Sequence, residues 1–345
     1  MKIGIVGLGD GGRCNLKSLT AVGTEVVAIC DRNEEVLSAM KEEVGGTANT
    51  YSDVQELLSR QEIELVVVAT PDDQHVEPVQ KALEAGKRVF VEKPIATSRS
   101  DLEKFKELAQ KYPQQILFSE KYSFAHPVQA ALKYRAELGE FLCGTTLYTM
   151  WKCDRIMGNG RWRTECAYNP CAGGLSHNFM TSLLFVGSPI IRVRATGQVL
   201  TYHENLDRFG GYDTMEGTLE FSGGQRLNWL VCLAVKGTDS PFGHRTVAHI
   251  FQFEKGSLAY GPTPQSDRLI VDGKLVPIPT EPDAENWGDY NLGILYEKMH
   301  RDVLATHTTG KQPLHDVLQG INVAYACCLA FESTKQGGEW IELPS

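Results

Sequence analysis

At 345 residues the chain exceeds one comfortable core and predicts two domains. Hydrophobic residues at 42% and charged residues at 22% are ordinary for a soluble globular protein, and a formal charge of −9 argues against the concentrated basic surface that nucleic-acid phosphates demand. No apolar run approaches the roughly 18 residues that span a bilayer, and Met1 to Gly7 runs straight into a strand pattern, so a cytoplasmic protein without a membrane partner is expected.

In chain order, Lys2 to Val6 is an apolar run, followed by the turn Gly7-Leu8-Gly9-Asp10-Gly11-Gly12 and an amphipathic helix from about Arg13 to Val22. A second apolar run, Glu25 to Cys30, ends at Asp31. In this order of strand, glycine turn, helix, strand and acid, each glycine has a separate task. Gly7 permits a tight turn, Gly9 lets backbone approach a pyrophosphate, and Gly12 lets the helix pack on the strand while its first amides face the anion. Asp31 stands where a carboxylate accepts hydrogen bonds from an adenosine ribose. It would repel a 2′-phosphate, which favours NAD over NADP, and Arg32 beside it is placed to stack on adenine or to offset that repulsion in part.

Helices are expected near Glu34 to Val44 and Asp53 to Gln61, then a β-branched strand at Glu64 to Ala69 ending at Thr70-Pro71. A helix from about Gln74 to Ala85, a strand from Arg88 to Glu92, a helix from Arg99 to Tyr112 capped by Ser98, and a strand at Ile116 to Ser119 complete the alternation. These strands with intervening helices give a doubly wound parallel sheet, whose ligands lie beyond the strand carboxyl ends. Gly7, Asp31, Thr70, Glu92-Lys93 and Glu120-Lys121 fall there.

After about residue 125 the texture changes. Leu142 to Lys152, Ile191 to Thr201, Thr214 to Phe221, Gln225 to Lys236, Val247 to Phe253 and Leu269 to Val271 read as strands joined by loops. They predict an α+β domain with a large, mainly antiparallel open sheet. Helices follow at Tyr290 to His307 and His315 to Lys335. The expected division is residues 1–122 and 123–345, with the last helix, about 315–335, packing back toward the first domain. Nine cysteines scattered from Cys14 to Cys328 fit reduced thiols. Cys143, Cys153, Cys166 and Cys171 crowd near His177, but their spacings match no CxxC pair and no metal is expected.

Several of these residues resemble the Gfo/Idh/MocA oxidoreductases. They are Gly7-x-Gly9-x-x-Gly12, Ala69-Thr70-Pro71 with His75, Ala85-Gly86-Lys87, Glu92-Lys93-Pro94, Trp162-Arg163, Gly173-Gly174 with His177, and the closing Gly338-Glu339-Trp340-Ile341-Glu342-Leu343. The resemblance implies an NAD(P)-binding Rossmann domain, with NAD the expected cofactor, and places the glycine turn, Asp31, Arg32, Thr70, Pro71, His75, Glu92 and Lys93 around it. It also implies that Lys93 lies between nicotinamide and substrate, orienting a hydroxyl and stabilising the alkoxide. In many relatives the Lys-Pro bond is cis. His177 takes the place of the family's catalytic histidine, suited by its ordinary pKa to accept a hydroxyl proton.

Two positions depart from the family pattern. Gly173 stands where relatives carry an aspartate four residues before the histidine, so either Glu165, Tyr168 or Asn178 substitutes for it or the histidine works unassisted. Ser123-Phe124-Ala125-His126-Pro127 lacks the family's arginine, which brings forward Lys121 and Tyr122. The basic stretch Lys152 to Arg163 is either a carboxylate- or phosphate-binding loop or a solvated one. Expected substrate contacts are therefore Lys93, Tyr122, Trp162, Arg163, His177 and Asn178. The resemblance implies a dehydrogenase for a secondary alcohol of a sugar, amino sugar or cyclitol, and because an uncovered apolar sheet invites burial, a homodimer or homotetramer through the open sheet is expected. The alternatives are a hydrolase or eliminase that retains NAD for transient oxidation, and an NAD-sensing regulator.

Overall fold

The structure is a computed structural model, and it describes residues 1–43, 47–150, 171–201, 211–234, 245–261, 267–278 and 292–344. The chain divides into two compact units: residues 1–121 with 292–321, and residues 122–291 with 322–345. The cut differs from the expected one because the segment from Leu292 to Ile321, late in sequence, belongs to the first unit.

In the first unit the elements are β1 (Lys2–Val6), α1 (Asp10–Ala21), β2 (Glu25–Cys30), α2 (Glu34–Glu43), β3 (Asn49–Tyr51), α3 (Val54–Leu58), β4 (Leu65–Val68), α4 (Val76–Glu84), β5 (Arg88–Val91), α5 (Arg99–Lys111) and β6 (Ile116–Leu117). The six strands form one sheet in the order β3-β2-β1-β4-β5-β6, and every pairing is parallel. Leu65 to Val68 is buried throughout, as a strand covered on both faces requires. Helix α1 begins earlier than the pattern predicts because Gly9 takes the N-cap position. Asp53 and Ser98 cap α3 and α5 through their side-chain oxygens. Expected strand residues Phe118 and Ser119 lie beyond β6.

The second unit holds α6 (His126–Lys133), α7 (Arg135–Leu138), β7 (Phe141–Met150), α8 (Ala172–Val186), β8 (Ile190–Gln198), β9 (Thr214–Phe221), β10 (Arg226–Cys232), β11 (Arg245–Phe253), β12 (Gly256–Tyr260), β13 (Arg268–Val271) and β14 (Lys274–Val276). Two further helices follow in sequence, α9 (Leu292–Thr309) in the first unit and α10 (Val317–Lys335) across the division, before β15 (Ile341–Glu342) in the second. The second sheet has nine strands in the order β14-β13-β12-β11-β7-β10-β9-β8-β15, antiparallel except where β10 pairs with β7. Both expected sheets are thus present, and the short strands β3, β12, β14 and β15 were not read from the sequence.

Alternation along β7, β10 and β11 gives the second sheet two distinct faces. Tyr148, Leu227, Trp229, Val231, Phe251 and Phe253 are buried, and Phe179 and Phe185 of α8 stack on this face, against Trp229 and Phe251 respectively. The opposite face carries Cys143, Arg226, Glu220 and Arg192 in one register row. There Glu220 accepts from both arginines, at 3.0 Å from Arg192 and 2.8 Å from Arg226. Trp340, just before β15, lies under the guanidinium groups of Arg192, Arg194 and Arg226.

Three histidines are buried as neutral rings. Burial lowers the pKa of His249 to about 3 and those of His300 and His315 to about 4, with Glu92 opposing the shift at His300 and Glu120 opposing it at His315. Unfolded histidine titrates near 6.5, so between these values the unfolded chain binds more protons and stability rises with pH. Scanning calorimetry from pH 7 down to 4.5 should show the unfolding midpoint falling below about pH 6.5, each unit of pKa difference being worth about 1.4 kcal/mol. His249→Phe, which keeps the stacking on Tyr260 (4.6 Å between ring centroids), should make that fall shallower.

Candidate active site

The first unit builds its site at the carboxyl ends of β1, β2, β4 and β5. Gly7 has φ +89°, and a Cβ there would stand 2.6 Å from the backbone of Ala69 and Thr70. A Cβ on Gly12 would collide with the carbonyl oxygen of Gly7, whereas a Cβ on Gly9 would meet no protein atom within 4 Å. Two of the glycines therefore serve the protein's own packing, and the third leaves open space before the first amides of α1. Asp31 is drawn to the same turn, accepting from the Leu8 amide at 2.7 Å and the Asn33 amide at 3.0 Å. A cavity of about 1050 Å³ lies here, lined among others by Gly7, Asp31, Arg32, Asp53, Thr70 and Pro71. An open cradle at a helix N-terminus, beside a carboxylate with spare acceptor capacity, fits the pyrophosphate and ribose of a dinucleotide.

His75 has another task. It is 1% exposed, and its ring nitrogens face the carbonyl oxygens of Ile95 at 3.1 Å and Thr70 at 3.0 Å. A neutral ring can donate to only one of them. The imidazole clasps the loop after β4 to the segment after Pro94.

The Lys93-Pro94 bond is cis, as the resemblance implied. Burial of its amine pushes the Lys93 pKa down to about 8, although the side chain as a whole is only part-buried; Lys121 pushes in the same direction, and Glu120, Asp72 and Glu92 oppose. A lysine poised this close to neutrality exchanges its proton readily near physiological pH. The neighbouring Glu92 carboxylate accepts from the Lys93 amide at 3.1 Å, the Asn15 amide group at 2.7 Å and the Tyr296 hydroxyl at 3.1 Å. Sequence reasoning missed Asn15, Tyr296 and His300. The signal available was a tyrosine and a histidine four apart on one predicted helix, with no indication of their partners.

The second unit places His177 on α8. Gly174, one turn earlier, lets the helix approach the ring of Tyr148, where a Cβ would stand 2.7 Å from it. His177 is 5% exposed and held between two aromatic rings, Tyr122 edge-on at 4.5 Å and Tyr148 stacked at 6.1 Å. Asn178 is buried, and its amide has no hydrogen-bond partner among the described residues. Trp162, Arg163, Glu165, Tyr168 and the basic stretch Lys152 to Arg163 lie outside the described residues. Among the described residues no group of His, Cys, Asp and Glu is arranged to hold a metal ion, and no helix is long and apolar enough to cross a membrane.

Residues 1–120 match the model of the Gfo/Idh/MocA oxidoreductase family, described by its NAD-binding Rossmann fold. Inositol 2-dehydrogenase of Salmonella typhimurium is 34% identical over 127 residues, 35% of this chain and 38% of that protein. A 1-carboxy-3-chloro-3,4-dihydroxycyclohexa-1,5-diene dehydrogenase of Comamonas testosteroni is 27% identical over 233 residues, 66% of this chain and 57% of its own length. The matches span less than two thirds of either relative. Among solved structures, levoglucosan dehydrogenase in complex with NADH and levoglucosan has the same fold, with a TM-score of 0.83, 18% identity and 100% of both chains covered.

The glycine geometry separates two effects. Gly9→Ala should fold normally, since its methyl enters open space, yet weaken NADH binding at least about tenfold by crowding the pyrophosphate. Gly12→Ala should lose both stability and binding. Fluorescence titration with NADH beside thermal melts distinguishes the two.

Proposed function

We propose that this chain, whose residues 1–120 belong to the Gfo/Idh/MocA oxidoreductase family, is an NAD-dependent dehydrogenase for a secondary alcohol of a sugar, amino sugar or cyclitol. The observation that carries the reading is the place of Lys93, bonded through its backbone to the Glu92 carboxylate that borders the glycine turn, where a Cβ on Gly11 would stand 3.9 Å from Glu92 Cγ; burial brings the lysine's pKa down to about 8. The names of the relatives support the substrate class: inositol is a cyclitol and levoglucosan a sugar anhydride.

Gly9, the first amides of α1, Asp31 and Arg32 would hold NAD, with Asp31 on the ribose and against a 2′-phosphate. When bound, NAD supplies the acceptor for hydride. Lys93 orients the substrate hydroxyl, and its ammonium stabilises the developing alkoxide. His177, held by Tyr122 and Tyr148, takes the hydroxyl proton. Tyr122, Trp162, Arg163 and Asn178 complete the substrate contacts; a buried, unpartnered amide such as Asn178 gains most from a hydroxyl that fills its valences. The enzyme works in the cytoplasm, in keeping with the free cysteines among the described residues.

The same reading includes self-association through the open sheet face. Ile250 is 51% exposed and Leu275 67% exposed, and the register puts both on that face with Ile270. Apolar side chains on a face otherwise covered by an arginine and glutamate lattice suit a second copy of the chain.

Absorbance at 340 nm with NAD and a panel of sugars, amino sugars and inositols tests the activity. Steady NADH formation, abolished by Lys93→Ala and by His177→Ala, is the expected result. Product without net NADH would replace the reading with transient oxidation by retained NAD, and silence with NADH still bound would leave a regulator. For the assembly, Ile250→Glu should shift the sedimentation coefficient toward that of the monomer while NADH binding persists.

A further inference from the structure

Helix α9, remote in sequence from every motif, reaches the Lys93 segment through one carboxylate. Tyr296, His300, Asn15 and Glu92 are all buried, at 5%, 1%, 0% and 8% exposure. Asn15 Nδ2 donates to Gly11 O at 2.8 Å and to Glu92 Oε1 at 2.7 Å, so its Oδ1 is the acceptor for His300 Nε2 at 2.8 Å. That fixes the histidine tautomer: Nε2 carries the hydrogen, and Nδ1 presents its lone pair to Ser18 Oγ at 2.8 Å. The Tyr296 hydroxyl, kept protonated by burial and by Glu92, donates to the same Oε1 at 3.1 Å. Glu92 Oε2 accepts the Lys93 backbone amide at 3.1 Å.

Every one of these donors to Glu92 is neutral. The carboxylate forms no ion pair among the described residues, although it bears electrostatically on the Lys93 ammonium, as does the ammonium of Lys121. Lys121, 6% exposed, has its ammonium 5.0 Å from the centre of the Tyr296 ring. Tyr296 thus meets both charges, its hydroxyl on the carboxylate and its ring face on the cation.

We propose that Tyr296 is a positioning residue for Lys93, with His300 and Asn15 as its support: it holds the Glu92 carboxylate on the backbone of the lysine and away from the lysine's ammonium. The charged groups that bear on Lys93 are Asp72, Glu92, Glu120 and Lys121. Glu92 is tied to α9 through the Tyr296 hydroxyl. Releasing it brings a negative charge toward the Lys93 ammonium and strengthens that ammonium's hold on its proton. The inference rests on the dehydrogenase reading for its consequence in catalysis, but not for its structural content.

The test is competitive acetylation with acetic anhydride from pH 6 to 10, resolved lysine by lysine by peptide mass spectrometry on full-length protein without substrate or cofactor. Tyr296→Phe keeps the ring and removes only the hydroxyl; the Lys93 midpoint should rise relative to the unsubstituted protein. In a Glu92→Gln background the same change should leave the midpoint where Glu92→Gln put it. Asn15→Ala, which removes the other donor to Oε1, should shift Lys93 in the same direction as Tyr296→Phe and serves where the latter does not fold. With a turned-over substrate, Tyr296→Phe should lower kcat about tenfold, in line with one lost hydrogen bond to a charged group, with KM for NAD little changed. An unchanged midpoint in Tyr296→Phe overturns the proposal, as does an equal shift with and without Glu92. If the midpoint moves as expected while no substrate panel yields NADH, positioning stands and the dehydrogenase reading falls.

Discussion

The contact on which the nucleotide-binding unit depends is the approach of helix α1 to the turn that precedes it. Position 12 has no space for a β-carbon because the carbonyl oxygen of Gly7 occupies it, and Gly7 in turn lies against the backbone of Ala69 and Thr70. Three segments separated in sequence thereby meet without intervening side chains. Their meeting aims the first amides of α1 past Gly9 into open space. The Asp31 carboxylate, bonded to the Leu8 amide at 2.7 Å, closes the turn from the far side. A side chain at Gly7 or Gly12 would displace the first strand, the first helix or the loop after β4, and each of these carries part of the site.

The second sheet meets a different constraint, the period of two along its strands. A strand that buries Leu227, Trp229 and Val231 must turn Arg226, Asn228 and Leu230 the other way. On the buried face this produces the aromatic bed on which α8 rests, and with it the cage of Tyr122 and Tyr148 around His177. On the outer face it produces a row in which Glu220 serves two arginines and Trp340 serves three. Exposed pairs of this kind contribute little stability singly. Glu220 is more effective than most, because the guanidinium of Arg192, then that of Arg226, holds its carboxyl below the usual range.

What was legible in the sequence follows from how local the signal is. The glycine turn, Asp31, the β-branched run at Leu65 to Val68 and Glu92-Lys93-Pro94 each record a constraint acting within a few residues, and the parallel sheet and glycine cradle match the expectation. The short strands β3, β12, β14 and β15 are fixed by their partners, since runs this brief carry no periodicity of their own. The motif names His75 but not the direction of its ring nitrogens, which the fold aims at the carbonyl oxygens of Ile95 and Thr70. The support of Glu92 by Asn15 and Tyr296 was invisible for a related reason. Its members come from two helices at opposite ends of the chain, and neither helix departs from an ordinary amphipathic pattern at those positions.

The histidines show how far environment outweighs residue type. His75 spans two carbonyl oxygens and ties one loop to another. His300 is neutral because its burial outweighs the attraction of Glu92, and its single ring hydrogen is directed by the way Asn15 spends its own two. His249 stacks on Tyr260 with its pKa at about 3, a ring used for its faces. His177 is held by two aromatic edges and faces, which fix a ring's plane without fixing its proton. His249 and His177 are thus both oriented through aromatic contacts, whereas His75 and His300 are oriented by hydrogen bonds. The same sorting applies to lysine: Lys87 spends its ammonium on the carbonyls of Arg60 and Gln61, whereas Lys93 is bonded to Glu92 through its backbone amide.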